Sequence, residues 1–526
     1  MGRRIRWLGI LMVACLGLVV AQLVNIQVVK GKALQNSPDN PRVAALRYVN
    51  PRGEILAADG TVLAKSVPTP AATAASTGYR YQYVREYPQG PLYAGITGYD
   101  SIWSGLDGIE LQYDSYLSAH QAAPQSLSQL IFRESTPRTT DNVTLTIEPQ
   151  LQEAAWQALT TLPPGENKDG AVVVIQPSTG DILAMVSNPT FDPNALASPS
   201  IQAEQVAYYS YIQPDHEDFA PLRPIATRDT FPPGSTMKVV TSTAVYNLKP
   251  ALAGFNYPVQ QCQSFSDSNK PLCDLGGPCG GTLLEMLPES CDPGYAELGV
   301  QLGVPIMTKQ AELFGYNSVP GIDLPGTVAS VFPALAPNSQ AFLGQSSIGQ
   351  YNVATTALQN AMVAAGIANG GVLMTPHLMS SIRDSQGAVV SNYSPKAAAL
   401  VATAKAAQQV TALMEAVATS GTASVVGFPS YLCAAVKTGT AQTSATAYNS
   451  LNDTWMIGFA PANHPQVAVA VVVPKQDVSS DGAHVAGPIM KAVLEAAVPQ
   501  SSVSPSCNVA PLPDSAFTST TTNSGF

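Results

Sequence analysis

The residues best suited to covalent chemistry are Ser235 and Lys238, in the segment Phe231-Pro-Pro-Gly-Ser-Thr-Met-Lys238. The two prolines and the glycine disfavour a helix upstream, and the proline-free and glycine-free run to Leu248 predicts a helix that begins at the serine. Residues three apart share a helix face, so the lysine amine can reach the serine oxygen. A lysine in a partly desolvated pocket can lose its proton near neutral pH and act as the base that a serine nucleophile needs. The pair therefore predicts acyl transfer.

Two later segments strengthen this prediction, because Ser-x-x-Lys alone is more often a helix N-cap with a solvated lysine. Lys437-Thr438-Gly439-Thr440 follows an apolar run that predicts a strand over Leu432–Val436, and Ser290-Cys291-Asp292 lies between the two segments. The ordered set Ser-x-x-Lys, Ser-x-Asn and Lys-Thr-Gly is the signature of penicillin-binding proteins and serine β-lactamases. Two of the three elements are intact here, and the middle one carries aspartate in place of asparagine.

Length and composition limit the class of protein. The chain has 526 residues, of which 45% are hydrophobic, and this is enough for two or three domains with substantial cores. The net charge of −10 comes with no basic cluster, which argues against nucleic acid as a partner. Only 12% of the residues are charged, which favours an exported or envelope protein over a cytosolic one.

The N-terminus has the pattern of a membrane anchor. Arg3, Arg4 and Arg6 precede an apolar stretch from Trp7 to Val24. A helix of roughly 18 residues nearly covers a bilayer core. We therefore expect a cytoplasmic tail over 1–6, a transmembrane anchor over 7–29 and the bulk of the chain outside the cytoplasm. A cleaved signal peptide is the alternative, and it gives the same extracytoplasmic location.

The cysteines fit an oxidising compartment. Four of them cluster within 30 residues and two lie further on: Cys262, Cys273, Cys279, Cys291, Cys433 and Cys507. The Gly/Pro/Asn-rich loop over Gln260–Gly281 is where we expect disulfides first. Their spacings match no zinc pattern, and the five histidines are scattered, so we expect neither a metal site nor a cofactor. Six exported cysteines predict one to three disulfides, whose connectivity cannot be read from the sequence.

Apolar periodicity and turn signals predict an α+β protein. Arg52–Leu56 and Thr61–Leu63 read as a hairpin around an Asp-Gly turn, within a small mixed module over 30–142 that has no catalytic constellation. Over 143–498 the order strands, helices, strands, helix predicts a sheet sandwiched by helices, with the Ser235 helix under it. Its strands are predicted over 143–147, 170–175, 182–186, 432–436, 453–460 and 467–473, and its helices over 149–162, 235–248, 357–368, 400–420 and 487–497. The Ser/Pro/Thr-rich tail over 499–526 is predicted to be disordered.

These motifs resemble those of class B penicillin-binding proteins, and the short N-terminal module is similar to that of the actinobacterial penicillin-binding protein A group. Beyond the first and third motifs, the resemblance rests on segments spread from residue 52 onwards: Arg52-Gly53-Glu54-Ile55, Ser104–Glu110, Leu145–Ile147, Ile348–Gln350 and Thr355–Gln359. The resemblance implies a penicillin-binding transpeptidase domain behind a dimerisation or pedestal-like module. It also implies a membrane-anchored D,D-transpeptidase that cross-links peptidoglycan in elongation or division and is acylated by β-lactams.

The resemblance also implies a role for each motif residue. Ser235 would attack the penultimate carbonyl of a stem peptide that ends in D-Ala-D-Ala, Lys238 would take its proton, and Ser290 would relay a proton to the leaving amine. Lys437 and Thr438 would hold the terminal carboxylate, Gly439 would leave room for the substrate to pair as an added strand, and the N–H groups of Ser235 and Thr440 would form the oxyanion hole. A glycosyltransferase or another elongation or division protein is the expected partner, alongside the membrane.

Asp292 departs from the family pattern. An ionised carboxylate accepts hydrogen bonds but cannot donate one to a substrate carbonyl, as an amide does. Near Lys238 it would also favour the protonated, non-basic lysine. Alternatively the carboxyl is protonated, or it pairs with Lys238 and assists a relay through Ser290. We expect an active enzyme whose β-lactam reactivity differs from that of Ser-x-Asn relatives.

Two other functions compete with the transpeptidase. A non-catalytic division scaffold or penicillin sensor would keep the fold and use the N-terminal module for binding, but the intact Ser235, Lys238 and Lys437 argue against it. A β-lactamase would need a residue that activates water for deacylation, and no such residue can be placed in the sequence. Acylation by penicillin separates the three, because a scaffold is not labelled, a β-lactamase turns over and a transpeptidase stays labelled.

Overall fold

The computed structural model describes residues 2–26, 48–71, 81–121, 138–161, 168–213, 219–254, 256–443 and 451–500. The predictions for 27–29 and for the tail beyond residue 500 lie outside these residues. The chain begins with the helix Gly2–Val24. Among the residues that the structure describes, no helix combines the length and the apolar composition needed to cross a bilayer.

The N-terminal module shares a six-stranded sheet with later parts of the chain. Ile55–Leu56 pairs antiparallel with Val62–Pro68 around Asp59-Gly60, which confirms the predicted hairpin. Ile55–Leu56 also pairs in parallel with Asn142–Leu145, which in turn pairs with Met379–Arg383. The sheet therefore crosses the predicted boundary between the N-terminal module, which ends at residue 142, and the domain that begins at residue 143. The order of its strands is Val389–Asn392, Met379–Arg383, Asn142–Leu145, Ile55–Leu56, Val62–Pro68 and Tyr83–Glu86.

A buried group of charges holds the module together. The Glu110 carboxylate is fully buried and accepts from Arg52 at 2.9 Å and from Arg85 at 2.6 Å. Arg52 also donates to Asp114 at 2.6 Å. Buried charges are tolerated only when they are paired in this way, so removing one partner would leave the others uncompensated. The segments around Arg52 and Glu110, which the sequence singled out, are thus structural.

The central sheet contains the strands β1 (Gly170–Ile175), β2 (Ile182–Asn188), β3 (Ala435–Gln442), β4 (Asn452–Ala460) and β5 (Val467–Gln476). Their order is β2-β1-β5-β4-β3, and all neighbours are antiparallel. β1, β4 and nearly all of β5 are buried, as apolar runs in a sheet covered on both faces should be. β3, which carries Lys437-Thr438-Gly439, is the last strand of this order.

Helices cover the central sheet. Pro149–Thr160 and Ala486–Ala497 pack on each other and on the sheet, and Ala357–Ala368 contacts β1, β4 and β5. The mixed fold of sheet and helices expected from the sequence is therefore confirmed. The helices of six or more residues that follow the module are Pro149–Thr160, Ile201–Ile212, Met237–Leu248, Leu283–Glu289, Asp292–Leu302, Val304–Leu313, Gln340–Ser347, Ala357–Ala368, Ala404–Thr419 and Ala486–Ala497.

Several predicted boundaries differ from the structure, three of them for a clear local reason. The strand predicted over 432–436 begins at Ala435 and continues through Gln442, because the Lys-Thr-Gly segment itself pairs with β4. The helix predicted from residue 400 begins at Ala404, because Thr403 caps it and Ala397–Leu400 pairs with another strand. The Ser235 segment starts as a 3₁₀ turn over Gly234–Thr236, and the α-helix follows at Met237–Leu248.

Two disulfides join the four clustered cysteines, Cys262 to Cys273 and Cys279 to Cys291. Asp274 lies beside the second pair, so that its carboxylate and the two sulfurs are within 4.8 Å of one another. Because these sulfurs are bonded to each other, they are not thiolate ligands for a metal. The two disulfides therefore cross-link the segment over residues 262–291.

Candidate active site

Ser235 lies in a cleft of about 830 Å³ between β3 and the segments around residues 270–292, 345–351 and 478–484. Ser290, Asp292, Thr438 and Thr440 line the same cleft, as the motif analysis predicted. Ser235 is half-buried, whereas Lys238 and Lys437 are fully buried. The Ser235 hydroxyl is therefore partly exposed in the cleft, whereas the amines of Lys238 and Lys437 are shielded from water.

Close backbone contacts position the Ser235 turn. Gly234 has φ +53°, and its N–H donates to the carbonyl of Gly349 at 3.0 Å. A Cβ on Gly349 would overlap the carbonyl of Gly234, and a Cβ on Gly439 would come within 2.8 Å of the Pro233 carbonyl. Trp455 on β4 donates to the Pro232 carbonyl at 2.9 Å. The glycines are required here because three segments of backbone meet around the serine.

Lys238 is fully engaged by the middle motif. Its ammonium contacts the Asp292 carboxylate at 2.5 Å, the Ser290 hydroxyl at 3.3 Å and the Ser290 carbonyl. The Tyr295 ring lies 5.6 Å from the same nitrogen. Among the residues that the structure describes, the Ser235 hydroxyl makes no hydrogen bond; such catalytic bonds often form only when substrate is bound. The structure therefore shows the pairing of Lys238 with Asp292 that the sequence left as one of two alternatives.

The Ser290 hydroxyl links the two lysines. It accepts from Lys437 at 2.9 Å as well as from Lys238 at 3.3 Å. Ser290 has φ +60°, an uncommon conformation for a residue other than glycine. It ends the helix Leu283–Glu289, and Asp292 starts the next one. This turn between two helices directs the hydroxyl and the carboxylate towards the same amine.

Burial lowers the pKa of Lys437 well below its usual value, and the neighbouring charge of Lys238 lowers it further. The carboxylates of Asp292 and Asp274 act in the opposite direction. Lys437 also donates to the carbonyl of Thr438 at 2.9 Å. Lys437 therefore holds its proton less firmly than an exposed lysine does.

The remaining motif residues lie along β3. Thr438 is hydrogen-bonded to Thr422 with 2.7 Å between the hydroxyl oxygens, and the Thr440 hydroxyl accepts from the Gly482 N–H at 3.2 Å. Gly439 lies between them and opposite Trp455. Thr438 and Thr440 therefore face the cleft, whereas Gly439 faces the opposite way, where a Cβ would come within 2.8 Å of Pro233 and Thr236.

Family models match most of this architecture. The penicillin binding protein transpeptidase domain matches residues 170–495, and the penicillin binding protein A dimerisation domain matches residues 52–137. The chain belongs to the penicillin-binding protein family. Among the relatives of this penicillin-binding protein are two mycobacterial proteins. It is 35% identical to the peptidoglycan D,D-transpeptidase PbpA of Mycolicibacterium smegmatis, over 95% of this chain and all of the relative. It is 34% identical to the Mycobacterium tuberculosis PbpA, over 95% of this chain and 99% of the relative.

Solved structures agree with this assignment. The ceftriaxone acyl-enzyme complex of penicillin-binding protein A from M. tuberculosis matches with a TM-score of 0.76 and 32% identity, over 86% of this chain and all of that one. The penicillin G acyl-enzyme complex of the same protein matches with a TM-score of 0.74 and 32% identity, over 85% of this chain and 99% of that one. The resemblance to this group inferred from the motifs is therefore confirmed.

Sequence reasoning missed several contacts in the site of this penicillin-binding protein. Tyr295 and Thr422 touch motif residues, but neither lies in a motif, and only the folded chain brings them there. Asp274 accepts from the backbone N–H of Asp292 at 2.9 Å. The sequence held one signal for Asp274. It follows Cys273, which belongs to the same cysteine cluster as Cys291, the central residue of the middle motif.

Proposed function

We propose that this chain is a peptidoglycan D,D-transpeptidase in which Ser235 forms an acyl-enzyme with the donor stem peptide. The observation that carries the proposal is that the Ser290 hydroxyl, which lines the same cleft as Ser235, is hydrogen-bonded to both Lys238 and Lys437. The relatives named as transpeptidases and the β-lactam acyl-enzymes among the similar structures support it. They lend no support to a non-catalytic scaffold.

In the acylation step the Ser235 oxygen attacks the penultimate carbonyl of a D-Ala-D-Ala end and the bond to the last residue breaks. Lys238 accepts the serine proton, and the leaving amine receives a proton through Ser290. The contacts of the Ser290 hydroxyl with both lysines support this route, because a proton can pass along existing hydrogen bonds. The leaving group is D-alanine. A second stem peptide then supplies the amine that takes the acyl group from Ser235.

Substrate binding is assigned to β3 and its neighbours. The donor would add to the edge of β3 at Gly439, where no side chain obstructs the approach of a second backbone. Thr438 and Lys437 would hold the terminal carboxylate, whose negative charge would favour the protonated form of this lysine. The N–H groups of Ser235 and Thr440 would form the oxyanion hole, and the loss of one such donor typically costs on the order of 10²–10³ in rate. β-Lactams would enter by the same route and acylate Ser235.

The cellular setting follows from the N-terminus and the family. We propose that residues 7–29 anchor the chain in the membrane, with 30–142 as the dimerisation or pedestal module and 143–498 as the transpeptidase domain outside the cytoplasm. Three arginines followed by the apolar run Trp7–Val24 support the anchor. A glycosyltransferase or another elongation or division protein would supply the strands to be cross-linked.

The proposal is tested with a synthetic stem peptide that ends in D-Ala-D-Ala, incubated with purified protein and a primary amine as acceptor. We expect release of D-alanine together with formation of the peptide–amine product, and loss of both in Ser235→Ala. Equal release of D-alanine by wild type and Ser235→Ala would contradict the assignment of the nucleophile.

A further inference from the structure

Asp274 is a carboxylate in the cleft wall that none of the three motifs contains. It follows Cys273 at the end of a short hairpin, and its own N–H donates to the Gln261 carbonyl at 2.8 Å. One carboxylate oxygen accepts from the Gly276 N–H at 2.8 Å, and the other accepts from the Asp292 N–H at 2.9 Å. Both oxygens are therefore held by backbone donors, one local and one in the middle motif.

The bond to the Asp292 N–H meets a need of the helix that this residue begins. The first N–H groups of a helix have no partner within it, and the N-cap residue Cys291 supplies no side-chain acceptor. A carboxylate at this position also interacts favourably with the positive end of the helix dipole. Asp274 thus acts as a cap that comes from another part of the chain, and its position depends on where the hairpin lies.

Both ends of this contact are covalently restrained. Cys273, beside Asp274, is bonded to Cys262, while Cys291, beside Asp292, is bonded to Cys279. Because a disulfide restrains the chain on each side, the hydrogen bond joins two segments that already have little freedom. Little conformational entropy is therefore lost when it forms.

We propose that Asp274 is a positioning residue for acyl transfer, which holds the Ser290-Cys291-Asp292 turn in register with Lys238 and Lys437. This role rests on the proposed function. The chain from Asp274 to the chemistry is short: the Asp292 backbone, then the Asp292 carboxylate on Lys238 at 2.5 Å and the Ser290 hydroxyl on Lys437 at 2.9 Å. A displacement of about 1 Å in such a constellation can cost about 10²-fold in rate.

Asp274 also adds charge to the site. Its carboxylate opposes the lowering of the Lys437 pKa that burial and Lys238 cause, as does Asp292. Removing the charge of Asp274 should therefore lower the pKa of Lys437 further. This gives the positioning role an electrostatic signature that a purely structural residue would lack.

The same loop offers a matched control in Asp267. Its carboxylate accepts from the Ala341 N–H at 3.0 Å and so caps the helix Gln340–Ser347, with no contact to the middle motif. Asp267→Ala removes the same side chain and the same type of bond from the same hairpin. Any general loss of loop stability should therefore appear in both variants.

The experiment compares the acylation of wild type, Asp274→Ala, Asp274→Asn and Asp267→Ala by benzylpenicillin, with melting temperatures measured in parallel. We expect Asp274→Ala to lower the first-order acylation constant about 10- to 100-fold at saturating penicillin, while the apparent binding constant changes little. Asp267→Ala should acylate like wild type. Asp274→Asn retains one acceptor oxygen, so its loss should be smaller, but its pH–rate profile should move to lower pH.

Equal losses of acylation in Asp274→Ala and Asp267→Ala, or a wild-type constant in Asp274→Ala, would overturn the positioning role. An unmoved pH profile in Asp274→Asn would overturn the electrostatic part. Absence of acylation at Ser235 in the wild type would instead overturn the proposed function, so the two failures are distinguishable.

Discussion

At the scale of single residues, Asp292 pairs with Lys238, the amine that the proposed mechanism uses as its base. Lys238 is buried and directs its N–H groups at Asp292 and Ser290. An ammonium that donates three hydrogen bonds cannot accept the proton of Ser235. In the proposed mechanism, Lys238 must therefore lose its own proton, and with it the pairing with Asp292, before it can accept the proton of Ser235.

Replacing Asp292 with asparagine should remove the charge that stabilises the ammonium form of Lys238. We expect Asp292→Asn to be acylated by benzylpenicillin faster at neutral pH, by about tenfold, which is less than the 10²–10⁴ that general-base catalysis contributes in full. Because the Asp292 carboxylate raises the pKa of Lys437, its removal should also move the pH–rate profile to lower pH. Both effects are measured by stopped-flow acylation between about pH 5 and pH 9, the range in which a lysine that acts as a base titrates.

Asp477→Asn is the control for this change. Asp477 is exposed, and its carboxylate accepts from the Ser479 N–H at 2.9 Å beside the cleft, with no contact to either lysine. Its substitution should leave the pH–rate profile where it is in wild type. An Asp292→Asn profile that coincides with the wild-type profile would show that the Asp292 carboxylate does not regulate the base.

At the scale of elements, the nucleophile depends on the contact between its turn and the loop at Gly349. Gly349 has φ +77°, and a Cβ there would overlap the backbone of Gly234, one residue before Ser235. We expect Gly349→Ala to displace the Ser235 turn and to reduce acylation by about 10²-fold. The second-order acylation constant, measured with benzylpenicillin, tests this.

Gly387→Ala separates displacement from backbone strain. Gly387 has φ +85°, so alanine is strained there too, at a cost of about 1 kcal/mol, but a Cβ would meet nothing within 4 Å. This variant should lose some stability and keep its acylation rate. If both glycine variants lost acylation to the same extent, the Gly349–Gly234 contact would not be what positions Ser235.

The elements also show where sequence patterns reach their limit. The apolar run before Lys437 correctly predicted a strand, but that strand continues through the motif, because Lys437-Thr438-Gly439 pairs with β4. Alternation of apolar and polar residues cannot reveal this, since the motif residues are selected for chemistry rather than for burial. The helix at Asp292 was likewise not predicted, because the Asp-Pro-Gly sequence at its start resembles a turn.

At the scale of the whole molecule, local patterns predicted what depends on local sequence. The helices around the central sheet and the convergence of the motifs at Ser235, Lys238 and Lys437 followed from periodicity and family spacing. The pairing of Ile55–Leu56 with Asn142–Leu145 and the disulfide connectivity did not. These depend on segments distant in sequence whose partners only tertiary packing selects. The cap from Asp274 to Asp292 is of the same kind.

The pH dependence of global stability should report the buried carboxyl of Asp453 on β4. Burial raises the pKa of Asp453 to about 6, although the Lys475 N–H, 3.0 Å away, acts in the opposite direction. The folded state thus retains a proton that the unfolded state has released above pH 3.8, its ordinary pKa. Stability is therefore lost as pH rises from about 4 to about 6 and does not return above it.

Asp453→Asn removes this ionisation. At pH 8 it should raise the melting temperature and increase the free energy of unfolding by about 2–3 kcal/mol, with a smaller gain towards pH 4. Asp59→Asn is the control, because the Thr61 N–H lowers the pKa of Asp59 and its loss should not stabilise the protein at pH 8. A stabilisation by Asp453→Asn that is the same at pH 4 and pH 8 would contradict the linkage.

Ser235 should be the residue that penicillin acylates in this cleft. Intact mass spectrometry of the protein with and without benzylpenicillin, beside Ser235→Ala and followed by peptide mapping, tests this. We expect a stable adduct of one penicillin mass on the peptide that contains Ser235, and none in Ser235→Ala. An adduct that persists in Ser235→Ala, or a wild type that forms none, would contradict the account.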